Sequence, residues 1–147
     1  MEKVSNAKQI DEFRALWHQI LEFDQTQNVE QLFPHFVGLS TNEISVISMV
    51  ADDPQIILKD ICTRLNMPKS TLTNTINRLE KKGYLTRTIA RQDLRSYGLV
   101  LTELGIKAQK EHKEYETVCF AKVMDALSME EQEQLLYLMK KIITSFK

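Results

Sequence analysis

The stretch from Met67 to Gly105 constrains this chain most. It orders a helix with a polar, basic outer face, a glycine stop, a strand, a basic loop and a second strand. Asn66-Met67-Pro68 reads as a turn, and Pro68 fits the first helical position, where its missing N–H costs nothing. Leu72, Ile76 and Leu79 recur at helical spacing and predict one buried stripe. Gly83 falls where a left-handed cap is needed, with Lys81 and Lys82 at the negative end of the helix dipole. Tyr84–Ile89 and Tyr97–Leu101 are rich in strand formers and flank the loop 90–96. Upstream, Ile57–Leu65 has apolar residues at 57, 58, 61, 62 and 65, the pattern of a short helix. The order is a helix-turn-helix followed by a two-stranded wing, with the second helix placed as a reader of the DNA major groove.

The chemistry of the outer face agrees. Lys69, Ser70, Thr71, Thr73, Asn74, Asn77, Arg78 and Lys81 lie opposite the apolar stripe. Short hydroxyls and amides reach base edges and phosphates, and Lys and Arg supply charge. Arg87 sits in the first wing strand; Arg91 and Arg95 sit in the loop, where guanidinium groups suit phosphate or the minor groove. Asp93, two residues before Arg95, is placed to brace the loop or orient a guanidinium. Each feature has a plainer reading, a solvated amphipathic helix and a surface salt bridge of little consequence. Charge distribution separates the readings. Residues 55–100 hold nine bases against three acids, a net of +6, whereas the whole chain carries −1, so the remainder carries −7. A basic third of that kind attracts DNA and turns the acidic remainder away.

The flanks read as helices. Residues 6–26 form an apolar face from Ile10, Phe13, Leu16, Trp17, Ile20 and Leu21, and a loop with Pro34 follows. Ser40-Thr41-Asn42-Glu43 is a capping-box pattern opening a helix through Val50, which Asp52-Asp53-Pro54 ends. Thr102 caps a long helix over about 103–126. Ser128-Met129-Glu130-Glu131, a second capping box, starts a last helix to about 145. That helix is loaded with Leu135, Leu136, Leu138, Met139, Ile142, Ile143 and Phe146. Phe13, Trp17 and Ile20 together with Leu135, Leu138, Met139, Ile142, Ile143 and Phe146 carry more apolar surface than a small winged helix covers. They are therefore expected at a homodimer interface, with packing on the chain's own core as the alternative. The expected fold is mainly α with a small β-wing: one domain over 1–147, a winged helix-turn-helix core at about 40–102, and dimerisation helices at about 6–26 and 103–146.

Several classes are excluded or disfavoured. Met1–Gln9 is polar, so no signal sequence is expected, and no apolar run suits a bilayer, so no membrane partner and a cytoplasmic location are expected. There is no glycine-rich phosphate loop, nucleophile elbow or His–Glu zinc motif, so the chain does not read as an enzyme and no cofactor is expected. Cys62 and Cys119 lack metal-ligand spacing and are expected to be buried, inert thiols. His112 beside Glu111, with His35 and Glu22 elsewhere, is the nearest approach to a zinc set, but three scattered histidines make no ligand motif and no metal site is expected.

Asp93-Leu94-Arg95, the strand Leu99-Val100-Leu101, Leu101-Thr102-Glu103-Leu104-Gly105 and the helix ending Arg78-Leu79-Glu80-Lys81-Lys82-Gly83 together resemble the MarR (multiple antibiotic resistance regulator) family of bacterial transcription factors. The wing segment Ser96-Tyr97-Gly98 departs from that pattern. The resemblance covers nearly the whole chain and implies a dimer with interleaved terminal helices that binds double-stranded DNA as a transcriptional regulator, a repressor of a palindromic operator. It also implies a small aromatic or anionic effector between the dimer helices and the winged domain, where Trp17, His18, Phe36 and Tyr115 are candidate lining residues; plain core or interface packing is the alternative for each. Peroxide sensing through a cysteine in the first helix, known among relatives, does not carry over, because no cysteine precedes residue 62. Redox or zinc response on the same fold, and a winged-helix module that binds protein instead of DNA, are the remaining alternatives.

Overall fold

The computed structural model describes residues 6–22, 29–89 and 97–146. The chain divides into two compact units, Met1–Leu32 and Phe33–Lys147. The first holds α1 (Ala7–Glu22) and α2 (Val29–Leu32). In α1, Phe13 and Trp17 lie one turn apart and stack with ring centroids 6.0 Å apart. The apolar stripe Ile10, Phe13, Leu16, Trp17, Ile20 and Leu21 is exposed along its length. The short α2 stands within the stretch that the sequence suggested was loop; four residues are too few for periodicity to reveal.

The second unit runs α3 (Thr41–Asp52), α4 (Leu58–Leu65), α5 (Lys69–Lys81), β1 (Leu85–Ile89), β2 (Tyr97–Leu101), α6 (Glu103–Asp125) and α7 (Met129–Ser145). This is the expected winged helix-turn-helix order. Val46, Ile47 and Val50 of α3, Ile61 of α4, Leu72, Ile76 and Leu79 of α5, and Leu85 and Leu99 of the wing share one core with Ile56 and Met67. Complete burial of each large aliphatic side chain stabilises the fold by about 1.5–3 kcal/mol. The wing is an antiparallel pair in register Leu85↔Leu101, Arg87↔Leu99 and Ile89↔Tyr97. Leu85 and Leu99 point into the core from it, while Ile89 and Val100 are exposed.

The turns that bracket α5 use one device. Asn66 adopts a left-handed conformation (φ 48°), and the Met67 N–H reaches back to the Cys62 carbonyl at 3.0 Å. Gly83 (φ 84°) does the same at the other end, where its N–H bonds the Glu80 carbonyl at 3.0 Å and the Tyr84 N–H bonds Leu79 at 2.9 Å. Both satisfy the last helical carbonyls before the chain reverses. Pro68 is the N-cap and not the first helical residue. Its φ of −64° serves either position, but its ψ of 152° is extended, and helical geometry begins at Lys69.

Thr102 and Gly105 join the wing to α6. The Thr102 hydroxyl accepts from the Gly105 N–H (3.2 Å) and donates to the Gly83 carbonyl (2.6 Å), and the Thr102 N–H bonds the Tyr84 carbonyl at 3.1 Å. A Cβ on Gly105 would meet the Tyr84 carbonyl oxygen at 2.1 Å. The Leu-Thr-x-x-Gly signature therefore has a physical basis: it caps α6, seals the end of α5, and lets the helix approach the backbone at the start of β1. Both capping boxes form as expected, Ser40 with Glu43 and Ser128 with Glu131. Cys62 and Cys119 are only partly buried, a correction to the expectation of buried thiols: Cys62 packs against the core from outside it, and Cys119 lies between the exposed Val118 and Phe120 of α6.

Candidate nucleic-acid interface

The outer face of α5 is built by subtraction. Leu72, Thr75, Ile76 and Leu79 are buried, which turns the side chains at 70, 74, 77 and 81 outward by the 3.6-residue period. Thr75 tolerates burial because its hydroxyl donates to the Thr71 carbonyl at 2.9 Å. Thr73 makes the same bond to Lys69, at 2.9 Å. Lys69, Ser70, Asn74 and Lys81 are exposed, and their side chains have no hydrogen-bond or ion-pair partner among the described residues.

The two flanks of that face are tied down differently. On the α3 side, Glu43 is 2% exposed yet ionised. The Ser40 N–H donates to it at 2.9 Å, the Arg78 Nε at 3.3 Å, and the Lys82 Nζ at 3.1 and 3.0 Å. Burial pushes its pKa up, but the Ser40 N–H, the Lys82 ammonium and the Arg78 guanidinium outweigh that and hold the carboxyl below its ordinary range. Arg78 is thus exposed, as expected, but its guanidinium is already engaged in fixing α5 to the start of α3. On this flank, Glu43 and Lys82 are the residues that sequence reasoning gave no place in the site. Position N3 of a capping box gave Glu43 a local role, and nothing local points to partners 35 and 39 residues on.

On the wing side, Arg87 of β1 donates to the Glu80 carboxylate and to the Asn77 side-chain oxygen, both of α5. Its guanidinium carbon stands 4.9 Å from the centre of the Tyr97 ring on β2. The flat cation is therefore held by a carboxylate, an amide and an aromatic face, which couples the wing to the helix. Arg91, Asp93 and Arg95 lie outside the described residues.

The expected effector-lining residues divide between the two units. Trp17 and His18 belong to α1 and are exposed. Phe36 and Tyr115 come together in the second unit with ring centroids 5.4 Å apart. Phe33 is edge-on to Tyr115 at 5.7 Å, and His112 is edge-on to Phe36 at 5.4 Å. The adjoining turn is pinned to α6: the His35 N–H donates to Glu111 at 2.8 Å and its ring pairs with the same carboxylate. The Tyr84 hydroxyl donates to the His35 carbonyl at 2.7 Å, and burial, then the negative charges of Glu43 and Glu111, push the Tyr84 pKa up. Glu111 thus serves His35, and among the described residues no three His, Cys, Asp or Glu converge as a metal site. Among the same residues no helix is long and apolar enough to cross a membrane.

Comparison with known proteins places this geometry. Residues 37–96, which contain α3, α4, α5 and β1, match the model of the MarR family. The chain is 28% identical over 107 residues to the HTH-type transcriptional regulator SarZ of Staphylococcus haemolyticus, covering 73% of this chain and 71% of that one. The fold is that of Streptococcus pneumoniae FabT, solved in complex with DNA, at a TM-score of 0.74 with 22% identity over 97% of this chain and 100% of that one. It is also that of S. aureus MepR, likewise solved as a DNA complex, at a TM-score of 0.68 with 23% identity over 92% of this chain and 95% of that one.

Proposed function

We propose, from the premise that this chain belongs to the MarR family of transcriptional regulators, that it is a cytoplasmic, homodimeric repressor that binds a palindromic DNA operator through α5 and the wing. The observation that carries this reading is the outer face of α5, where Lys69, Ser70, Asn74 and Lys81 are exposed and uncommitted on a helix whose two flanks are fixed. Ser70 and Asn74 are suited to base edges, and Lys69 and Lys81 to phosphates. Thr71, Thr73 and Asn77 border the face, and Arg91 and Arg95 add positive charge to the sequence between the two wing strands.

Dimerisation accounts for the exposed apolar stripes of α1 and α7. Leu138, Met139, Ile142, Ile143 and Phe146 are all exposed in the single chain, and Phe146 is 83% exposed. Surfaces of that kind are covered by a partner in stable proteins. A two-fold pair would set two α5 helices about 34–36 Å apart, one turn of DNA, which makes the operator a palindrome. Relief by a small aromatic or anionic effector is supported by the aromatic group of Phe33, Phe36, His112 and Tyr115. An effector would act by binding more tightly to a state whose helix spacing does not fit the operator.

Selection of bound duplexes from a random pool, followed by anisotropy titration of the winning sequence, tests the reading. Inverted half-sites are expected, with Arg95→Ala weakening every sequence and Asn74→Ala altering base preference. Retention of no sequence, or binding of a protein partner in place of DNA, would contradict it. Repeating the titration with a panel of aromatic acids tests the effector class, for which weakened operator binding is expected.

A further inference from the structure

Glu43 gathers more positive charge than its burial requires. Its carboxylate is 2% exposed, and the Lys82 ammonium donates to both of its oxygens, at 3.1 and 3.0 Å. One cation neutralises one carboxylate, so the second, Arg78, leaves the cluster with a net positive charge. The Arg78 side chain is 54% exposed. A guanidinium carries five N–H donors in one plane. Arg78 turns one edge of that plane inward. Its Nε–H donates to Glu43 at 3.3 Å, and the Nη2 hydrogen on the same edge makes a longer bond of 3.5 Å to the Thr75 hydroxyl. The end of the plane, formed by Nη1 and the other Nη2 hydrogen, has no partner among the described residues. Arg78 follows Asn74 by one turn and lies on the α3 side of the outward face.

We infer that the free end of the Arg78 guanidinium grips a phosphate of the DNA backbone, and that Glu43, which does not itself touch DNA, is the positioning residue that aims it. Two parallel N–H donors match two oxygens of one phosphate. The flank of a helix seated in the major groove faces the groove wall, which is sugar and phosphate, whereas base edges lie under the centre of its outward face. Arg78 is tethered on that flank, so its reach is to the wall. Ordering a long, rotamer-rich side chain opposes association. Glu43 orders this one when the protein folds, before DNA arrives. The buried carboxylate thus has a purpose beyond fixing α5 to α3.

The inference rests on the DNA-binding reading, and its test separates the two. In the free full-length protein, the Arg78 Nε–H should give a resolved, slowly exchanging NMR resonance that Glu43→Gln shifts. An Nε–H that exchanges as fast as that of a solvated arginine would overturn the inference and leave the DNA-binding reading standing. With a duplex selected from a random pool, Arg78→Met should weaken binding to every sequence and reduce the slope of log affinity against log salt by about 0.9 for each half-site. Arg78→Lys, which keeps the charge but has no fork, should restore that slope and recover only part of the affinity. Glu43→Gln should cost roughly 2- to 13-fold more affinity per half-site with Arg78 present than in the Arg78→Met background, the equivalent of ordering one long side chain. A salt slope untouched by Arg78→Met, a loss confined to one base pair, or an equal effect of Glu43→Gln in both backgrounds would overturn the inference. Failure of the unaltered protein to bind any duplex at low salt would remove the DNA-binding reading and this inference with it.

Discussion

Helices α5 and α7 are both amphipathic, yet the chain treats their apolar faces in opposite ways. In α5, Leu72, Ile76 and Leu79 are almost wholly buried against α3, α4 and the wing, and only polar side chains face out. In α7 no residue is buried. The same periodic pattern thus signals a core in one place and an unmet surface in the other. What differs is whether the chain itself folds back to cover the stripe.

That contrast is open to direct attack. Ile76→Ala removes a fully buried side chain and should cost about 2–5 kcal/mol in denaturant unfolding, whatever the protein concentration. Ile142→Ala in α7 should show its loss only as a concentration-dependent midpoint and a weaker self-association by sedimentation equilibrium if, as proposed, a second copy covers that face. Equal and concentration-independent losses would erase the distinction between the two helices.

Gly105→Ala sharpens the same comparison at the edge of the core, where its Cβ has no room beside the Tyr84 carbonyl. A loss of about 1–3 kcal/mol in thermal or chemical unfolding is expected. Glu43→Gln should cost about 1–2 kcal/mol at neutral pH by removing charged hydrogen bonds whose other partners can rehydrate. Its pH dependence has a definite sign. The folded-state pKa lies below that of the unfolded chain, so the Glu43 contribution is complete above the ordinary glutamate value of about 4.3 and is lost as pH falls through the lowered folded value. The gap between the unaltered protein and Glu43→Gln should therefore narrow in acid; a gap constant from neutral pH into acid would contradict the Lys82 and Arg78 pairing. Thr102→Ala, which deletes the α6 cap, should cost about 1 kcal/mol by the same unfolding measurement.

The parts of this structure legible in advance are those encoded within one or two helical turns. The wing strands, the Gly83 stop and both capping boxes depend on neighbours a few residues apart, and the strand formers at 85–89 and 97–101 alternate as a half-buried hairpin does. Illegible were the pairings that join distant segments. Nothing near Glu43 announces Arg78 or Lys82, and nothing near Arg87 announces that its guanidinium would fall between Glu80, Asn77 and Tyr97. A helical wheel places Arg78 outside and is right about its exposure. It is silent about the direction of the guanidinium, which follows the nearest desolvated carboxylate. The meeting of Phe36 and Tyr115 was suggested only through the family resemblance, and Phe33 was not named, since about eighty residues separate that turn from Tyr115.

The most direct test of the central claim, that α5 and the wing dock on duplex DNA as a pair, is the affinity for a selected palindromic duplex as a function of salt. If the dimer neutralises about 6–10 phosphates, the affinity should fall by roughly 10³–10⁵ between 50 and 200 mM salt. An affinity indifferent to salt, or no binding at the lower concentration, would contradict the account.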